Sequence, residues 1–301
     1  TGTQSGGIFM GTGGTFSGTA IADATGKTLA FTGSNWNNAG TLRAAGGTVS
    51  LASNTNTTWA SSGTLDLDSG ALNLGGTFNT ASFNSLDRDG TAAGSLFITG
   101  ALDNTGATLL LDASTGAVLL SGSITGGTIR ANNPAGGSLV MNGVGYLLNT
   151  TLADVDGVAG SGLYLIDNGQ SMEARGTLTL DGATIRLAST GSSTYLRGNS
   201  ASGLTTLNIA GSGTIDFAGA SNANNDLTAW HSNNVLNVGA GINLTGTQSG
   251  GIYLGTSGVF SGTAIAATVG KTLAFNSNGV WTQAGTLRLE GGAISSATSL
   301  T

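Results

Sequence analysis

Short phrases in which apolar and polar residues alternate recur along the whole chain. The two clearest are GTLDL at Gly63 and GTLTL at Gly176, and related phrases begin at Gly40, Gly47, Gly127 and Gly213. Alternation over about five residues is the pattern of a β-strand with one buried face. Clusters rich in Gly, Asn and Asp, such as Asp181-Gly182, separate the phrases, and these residues favour tight corners. The pattern therefore predicts short strands joined by corners throughout.

The spacing of the phrases predicts how the strands are arranged. Equivalent phrases begin at Gly40 and Gly63, 23 residues apart, whereas a propeller repeats about every 40 to 50 residues. A sandwich needs a substantial aromatic core, and aromatic residues are only 6% of this chain. Helical periodicity is not sustained, and Glu, Lys and Gln are scarce. We therefore predict an all-β, parallel β-solenoid with roughly 20 to 24 residues per coil and almost no helix.

Composition and charge exclude several classes of protein. The hydrophobic fraction of 39% is too high for a disordered chain, and no apolar run approaches the roughly 18 residues of a membrane-spanning helix. The formal net charge is -6 and there is no basic run, so a nucleic-acid partner is excluded. The chain has no cysteine, which excludes disulfides and thiolate metal sites.

The chain also repeats itself over a long distance. Thr1 to Phe31 and Thr245 to Phe275 are identical at 24 of 31 positions, at an offset of 244. Residues 1–244 are therefore interpreted as one long repeat unit of a continuous solenoid, and residues 245–301 as the start of the next copy. We expect the chain to be part of a longer array, with any targeting segment outside it.

The repeated phrases resemble those of one broad class of proteins. SGTLDL at Ser62, followed by GALNL at Gly70, and RGTLTL at Arg175 are similar to the drifting repeats of large bacterial surface proteins. These are the filamentous-haemagglutinin-like adhesins and the passenger β-helices of autotransporters. The resemblance covers nearly the whole chain at the level of phrases and composition. It implies a right-handed β-helix exported to the cell surface.

Few residues offer catalytic chemistry. A Ser-His-Asp or Cys-His arrangement needs a histidine, and the one histidine, His231, follows Trp230 in a polar stretch. A histidine-ligated zinc site is excluded on the same count. The Gly-Lys-Thr strings at Gly26 and Gly270 lack the glycine five residues earlier that a phosphate-binding loop requires. We interpret His231 as a loop or corner residue and both strings as turns before strands.

Paired aspartates form the remaining polar pattern. Three pairs lie two residues apart: Asp66 and Asp68, Asp87 and Asp89, and Asp154 and Asp156. This spacing places both carboxylates on one side of an extended segment, and calcium binds such oxygen clusters. The candidate calcium ligands are Asp87, Asp89, Asp154 and Asp156, and the alternative is that each Asp caps its own turn. No other cofactor is expected.

Two kinds of carbohydrate site are considered, a glycosidase site and a platform of aromatic rings. A glycosidase needs two acids about 5 to 9.5 Å apart beside a sugar groove, but no segment concentrates both signs of charge, and four arginines are scattered: Arg130, Arg175, Arg186 and Arg197. We therefore predict no catalytic residues. Tryptophans can serve as platforms for sugars, and the candidates are Trp36, Trp59, Trp230 and Trp281. Trp36 and Trp281 are equivalent in the two copies, which favours a structural corner role or a contact between modules.

These features together predict a non-enzymatic, extracellular structural or adhesive fibre at the cell surface or in a secreted matrix. Its expected partners are identical repeats stacked end to end, with lateral contacts between fibres and surface glycans as further partners. The alternatives are a carbohydrate-binding or carbohydrate-cleaving β-helix and an ice-binding solenoid. An ice-binding face needs a regular Thr-x-Thr array, whereas Thr here falls irregularly at strand starts.

Overall fold

The computed structural model describes residues 4–52, 57–88, 94–199, 205–219, 225–231, 233–276 and 280–297. The structure is nearly all parallel β, with 64% strand and 3% helix. Its strands form the turns of a β-solenoid, about 12 in all. The predicted parallel β-solenoid with almost no helix is thus confirmed. The chain falls into two compact units: residues 1–127 with 132–139, and residues 128–131 with 140–301. These units are not the repeat copies, whose assignment to 1–244 and 245–301 stays a prediction from the sequence.

The first unit contains short strands and two single helical turns. Its helical turns are α1 (Thr80–Phe83) and a 3-10 turn at Asn133–Ala135. Its strands are β1 (Gly6–Thr12), β2 (Thr15–Phe16), β3 (Thr19–Ala22), β4 (Thr28–Ser34), β5 (Trp36–Asn38), β6 (Thr41–Leu51), β7 (Trp59–Ser61), β8 (Thr64–Leu74), β9 (Thr77–Asn79), β10 (Leu86–Asp87), β11 (Ser95–Ile98), β12 (Ala101–Asp103), β13 (Thr108–Leu111), β14 (Ala117–Leu120) and β15 (Ser123–Thr125).

The second unit contains longer strands. The strand β17 (Ser138–Met141) begins in the first unit and ends in the second. The others are β16 (Thr128–Ala131), β18 (Val144–Ala153), β19 (Leu163–Asp167), β20 (Ser171–Ser189), β21 (Thr194–Arg197), β22 (Thr206–Gly219), β23 (Asn225–Thr228), β24 (Val235–Val238), β25 (Gly241–Gly246), β26 (Gly250–Tyr253), β27 (Val259–Phe260), β28 (Thr263–Ala266), β29 (Thr272–Asn276), β30 (Thr282–Gln283), β31 (Thr286–Leu289) and β32 (Ala293–Ser296).

Aliphatic side chains of successive turns stack directly on one another inside each unit. In the first unit Leu72 pairs with Val49 on one side and with Leu96 on the other, and all three are fully buried. In the second unit Ile215 lies between Ile185 and Leu244 in the same way. Each fully buried side chain of this kind contributes about 1.5 to 3 kcal/mol. The alternating phrases therefore form the core because their apolar positions face inward on every turn.

The number of residues per turn differs between the two units. In the first unit residues paired between neighbouring turns are 20 to 24 apart, as in Thr28 with Thr48 and Ala71 with Ser95. In the second unit the separation grows to 27 for Val144 with Ser171 and to 31 for Gly176 with Leu207. The predicted 20 to 24 residues per coil therefore holds for the first unit, and extra residues enlarge several turns of the second.

Aromatic rings form a stacked row inside each unit. In the first unit the centroids of successive rings are 4.8 to 6.2 Å apart, in the order Phe16, Phe31, Trp36, Trp59 and Phe78. In the second unit Phe260, Phe275 and Trp281 repeat the first three members, 5.1 and 5.2 Å apart. Trp36 and Trp281 are both buried, so the structural contact expected of this pair is what the structure shows.

Glycines begin the Gly-Thr phrases because backbones of neighbouring turns come too close for a side chain. A Cβ at Gly63 would overlap the carbonyl oxygen of Gly40, and a Cβ at Gly40 would overlap that of Gly18. The same overlap recurs between Gly285 and Gly262 in the second unit. The phrase thus marks a corner where turns stack at backbone distance.

Substituting Gly63→Ala is expected to lower the free energy of unfolding by about 1 to 3 kcal/mol, because backbone atoms must move to admit the methyl group. Gly7→Ala is the matched control, since a Cβ at Gly7 meets nothing within 4 Å, and its effect should stay within about 0.5 kcal/mol. Urea unfolding of both variants measures the difference. Equal midpoints would show that these corners are not tightly packed.

Candidate functional site

The histidine and the Gly-Lys-Thr strings occupy turns. His231 follows Trp230 in a loop, and its carbonyl oxygen accepts a hydrogen bond from the backbone N–H of Asn234 at 3.0 Å. The backbone N–H of Lys27 donates to Ala24, and that of Lys271 donates to Thr268, which closes a tight turn before a strand in both copies. These residues are placed as the sequence interpretation has them.

Arg130 lies among the acids of the better-described calcium candidate. Its Nη1 donates to the carbonyl oxygen of Asp154 at 2.6 Å and lies 3.5 Å from a carboxylate oxygen of Asp156. Asp87 is exposed at the end of β10, and Asp89 lies outside the described residues. In the described ranges no three His, Cys, Asp or Glu side chains come together to hold a metal ion, and calcium binding stays a prediction.

Aromatic and charged side chains converge on one face of the second unit. We call this the aromatic face, and its members are Tyr146, Glu173, Arg175, Tyr195, Arg197, Asp226, Trp230 and Tyr253. Arg175 and Arg197 both reach Glu173, so the strand register brings together charges that are scattered in the sequence. The residues are far apart in sequence and adjacent in the stack of turns.

Strand register brings these residues into line. Tyr146 pairs with Glu173, which pairs with Arg197, and the same row continues through Thr228 to Tyr253. Neighbours along the strands point inward: Leu196 and Leu227 are fully buried. The side chains of the row therefore point outward, and five strands at about 4.8 Å spacing give it a length of about 19 Å.

Glu173 is held between two arginines. One of its carboxylate oxygens accepts hydrogen bonds from Nε and Nη2 of Arg175, at 2.9 and 2.6 Å. The other oxygen lies 3.4 Å from Nη2 of Arg197, and the Glu173 side chain has no exposed surface. Neither that oxygen nor Nε of Arg197 makes a hydrogen bond to any described residue. Buried polar atoms are normally paired, and here the charges of Arg175 and Arg197 compensate the buried carboxylate.

Trp230 forms the exposed ring of the face. Its backbone is left-handed, with φ of 75°, a conformation that bulky residues rarely adopt. The ring covers the guanidinium of Arg197, whose Cζ lies 4.2 Å from the ring centroid, and meets Tyr195 edge to face at 5.2 Å. The side chain nevertheless remains 39% exposed. Strained residues cluster at functional sites, and this strain holds an indole at the surface.

The side chains of Asp226 and Tyr253 both lie over Gly251, which has no side chain of its own. A Cβ placed on Gly251 would meet both the carboxylate of Asp226 and the ring of Tyr253. Burial raises the pKa of Asp226 to about 6. Burial first, and then the nearby Asp226 charge, raise the pKa of Tyr253. No described residue forms a hydrogen bond or an ion pair with the carboxylate of Asp226.

The raised pKa of Asp226 predicts how stability depends on pH. The folded state binds this proton more tightly than the unfolded state, whose aspartate titrates near 3.8. The contribution of Asp226 to stability is therefore greatest below about pH 4 and is lost as the pH rises through about 6. We expect Asp226→Asn to stabilise the protein at pH 7.5 by about 1 to 2 kcal/mol, after allowance for partial solvation, and to change little at pH 4.5.

The matched control is Asp103→Asn, because hydrogen bonds from Thr105 lower the pKa of Asp103. This variant should lose rather than gain stability at pH 7.5. Thermal unfolding at the two pH values measures both effects. The assignment of an uncompensated carboxylate at Asp226 is contradicted if both amides shift the midpoint in the same direction.

The aromatic face offers flat rings beside hydrogen-bonding groups, which is the chemistry of sites that bind polar ring-shaped ligands. Trp230 is one of the tryptophans that the sequence offers as platforms for sugars, but its position in the sequence does not indicate that it belongs to a cluster. Nothing in the sequence indicated that Glu173, Arg197 and Tyr253 share a row.

No protein-family model, curated protein or solved structure matches this chain. Within the ranges that the structure describes, no helix is both long and apolar enough to cross a membrane.

Proposed function

We propose that the chain is a non-enzymatic segment of an extracellular structural or adhesive repeat protein, whose copies stack end to end. A β-solenoid is compatible with a repeat structural or adhesive protein. Stacked turns supply reach and stiffness because backbone hydrogen bonds run along the stack and each turn buries the apolar residues of the next. The resemblance to bacterial surface adhesins supports the extracellular location.

The observation that carries this proposal is the way the second copy stacks on the turn before it. Ile252, Phe260 and Ala264 of the second copy are fully buried. They lie under Leu227, Val238 and Leu244 of the preceding turn.

The first copy carries the same residue types, Ile8, Phe16 and Ala20, at the offset of 244. We infer that the repeated sequence stacks on a turn of the kind formed by residues 225–246.

The test is to place a second copy of residues 1–244 ahead of the chain. Ile8, Phe16 and Leu29 of the original chain should then become as protected from hydrogen exchange as Ile252, Phe260 and Leu273. Electron microscopy should show a rod longer by roughly 50 to 60 Å, at about 4.8 Å per turn. A scrambled segment of the same composition is the control. The proposal would be contradicted if microscopy showed the two segments as separate bodies and if Ile8, Phe16 and Leu29 gained no protection from hydrogen exchange.

The non-enzymatic part has its own test. The purified chain should release no reducing ends from polysaccharides, because Glu173 is neutralised by two arginines and, among the described residues, no three acidic or histidine side chains come together. Hydrolysis that is lost on changing His231, Asp66, Asp87 or Asp154 would contradict it.

A further inference from the structure

We propose that the aromatic face of the second unit binds an uncharged oligosaccharide chain laid across the strands. This inference rests on the adhesive part of the proposed function and names the class of ligand.

The rings supply the apolar part of such a site. Tyr146, Tyr195, Trp230 and Tyr253 lie on one face, whereas Tyr164 and the other tryptophans are buried. The flat, apolar side of a pyranose ring packs on an aromatic ring, while the hydroxyl groups around its edge need polar partners. An amphipathic aromatic site meets both requirements. The row of about 19 Å suits several linked sugars rather than one.

Accessible polar groups supply the rest. The carboxylate of Asp226 is half-buried beside Tyr253, and the side chain of Arg175 is 38% exposed. Sugar hydroxyls both donate and accept, so they match carboxylates and guanidinium groups alike. The side chains of Asp226 and Tyr253 meet over Gly251, which places a carboxylate directly beside an exposed ring.

The balance of charge favours an uncharged ligand. Glu173 and Asp226 oppose Arg175 and Arg197 within the face, so it carries no excess positive charge for an acidic polymer. The whole chain, at -6, disfavours polyanions further. A protein partner would be held by apolar anchors in fully desolvated pockets, whereas here the outward positions near the rings include Ser171, Thr228 and Asn276.

One ring of this face has an equivalent in the first copy. Tyr253 corresponds to Phe9 of the first copy at the offset of 244. Phe9 is 80% exposed, which is unusual for an apolar ring. An aromatic side chain therefore projects from the same position of both copies. Repeated weak sites along one fibre would raise the overall affinity for a polysaccharide surface by avidity.

Trp230 gives the experiment its signal, because Trp36, Trp59 and Trp281 are buried. The probes are tetra- to hexasaccharides of the gluco-, manno-, galacto- and xylo- series, with oligogalacturonate as the charged comparison. Binding of at least one neutral series should shift the Trp230 emission to shorter wavelength and protect it from iodide quenching. Trp230→Ala and Tyr253→Ala should each weaken that binding about tenfold, as measured by calorimetry.

Val269→Ala is the matched control, since Val269 is an exposed apolar side chain outside the aromatic face, and it should bind as the unchanged chain does. Circular dichroism checks that each variant is folded. The inference is overturned if no neutral series binds, if oligogalacturonate binds better than all of them, or if both ring variants retain binding within twofold. Rods that lengthen without sugar binding would leave the proposed fibre intact and refute this site alone.

Discussion

Replacing Trp36 with alanine is expected to lower the free energy of unfolding by about 3 to 5 kcal/mol. The ring is only 1% exposed and lies between Phe31 and Trp59, with centroid distances of 5.7 and 6.2 Å. Each neighbouring ring belongs to a strand that is hydrogen-bonded into the stack of turns. These strands cannot move inward to fill the cavity that the removed Trp36 ring would leave. Chemical unfolding followed by circular dichroism measures the loss.

The matched control is Trp230→Ala, which removes the same side chain from the surface. Its cost should be below about 1 kcal/mol, because the ring is 39% exposed and leaves no closed cavity. Trp36→Phe keeps a ring in the row and should recover more than half of the stability lost in Trp36→Ala. If Trp36→Ala and Trp230→Ala shifted the unfolding midpoint equally, the buried row would contribute nothing beyond its surface counterpart.

Solenoid repeats unfold partly turn by turn, since each turn contacts only its neighbours. The loss caused by Trp36→Ala should therefore be concentrated nearby. Hydrogen exchange should rise at Phe31 and Trp59 and stay unchanged at Phe275 and Trp281, which form the equivalent row of the second unit.

The fold could be predicted from the sequence because its determinants are local. Alternation in phrases such as GTLDL at Gly63 sets which side chains face inward, and the Gly-Thr start marks the close corner between turns. The spacing from Gly40 to Gly63 gives the length of a turn directly, and Thr41 does pair with Thr64. These relations recur within about two dozen residues, so they are visible without knowledge of distant contacts.

The aromatic face could not be predicted in the same way because its register is irregular. Successive members of the row, from Tyr146 through Glu173, Arg197 and Thr228 to Tyr253, are separated by 27, 24, 31 and 25 residues. A fixed spacing of 20 to 24 does not align them. The register of a parallel strand depends on the length of the whole preceding turn, and corners of variable length hide it.

Replacing Glu173 with glutamine is expected to destabilise the protein by about 3 to 5 kcal/mol. The carboxylate is fully buried and is the partner of both Arg175 and Arg197, the second of which is only 11% exposed. Glutamine keeps the shape but not the charge, so two guanidinium groups would remain close together without a counter-charge. Urea unfolding at pH 7.5 measures the change.

Glu290→Gln is the matched control, because Glu290 also pairs with an arginine two residues away, Arg288, at 2.6 Å, but both side chains are well exposed. Exposed pairs contribute about 0 to 1 kcal/mol, so this variant should barely move the midpoint. A double variant, Glu173→Gln with Arg197→Gln, separates pairing from packing. It should lose less than the sum of the two single variants, since removing the second charge relieves the repulsion. If the losses of the two single variants simply added up, Glu173 and Arg197 would act independently. Their contact would then contribute no free energy to the stability of the aromatic face.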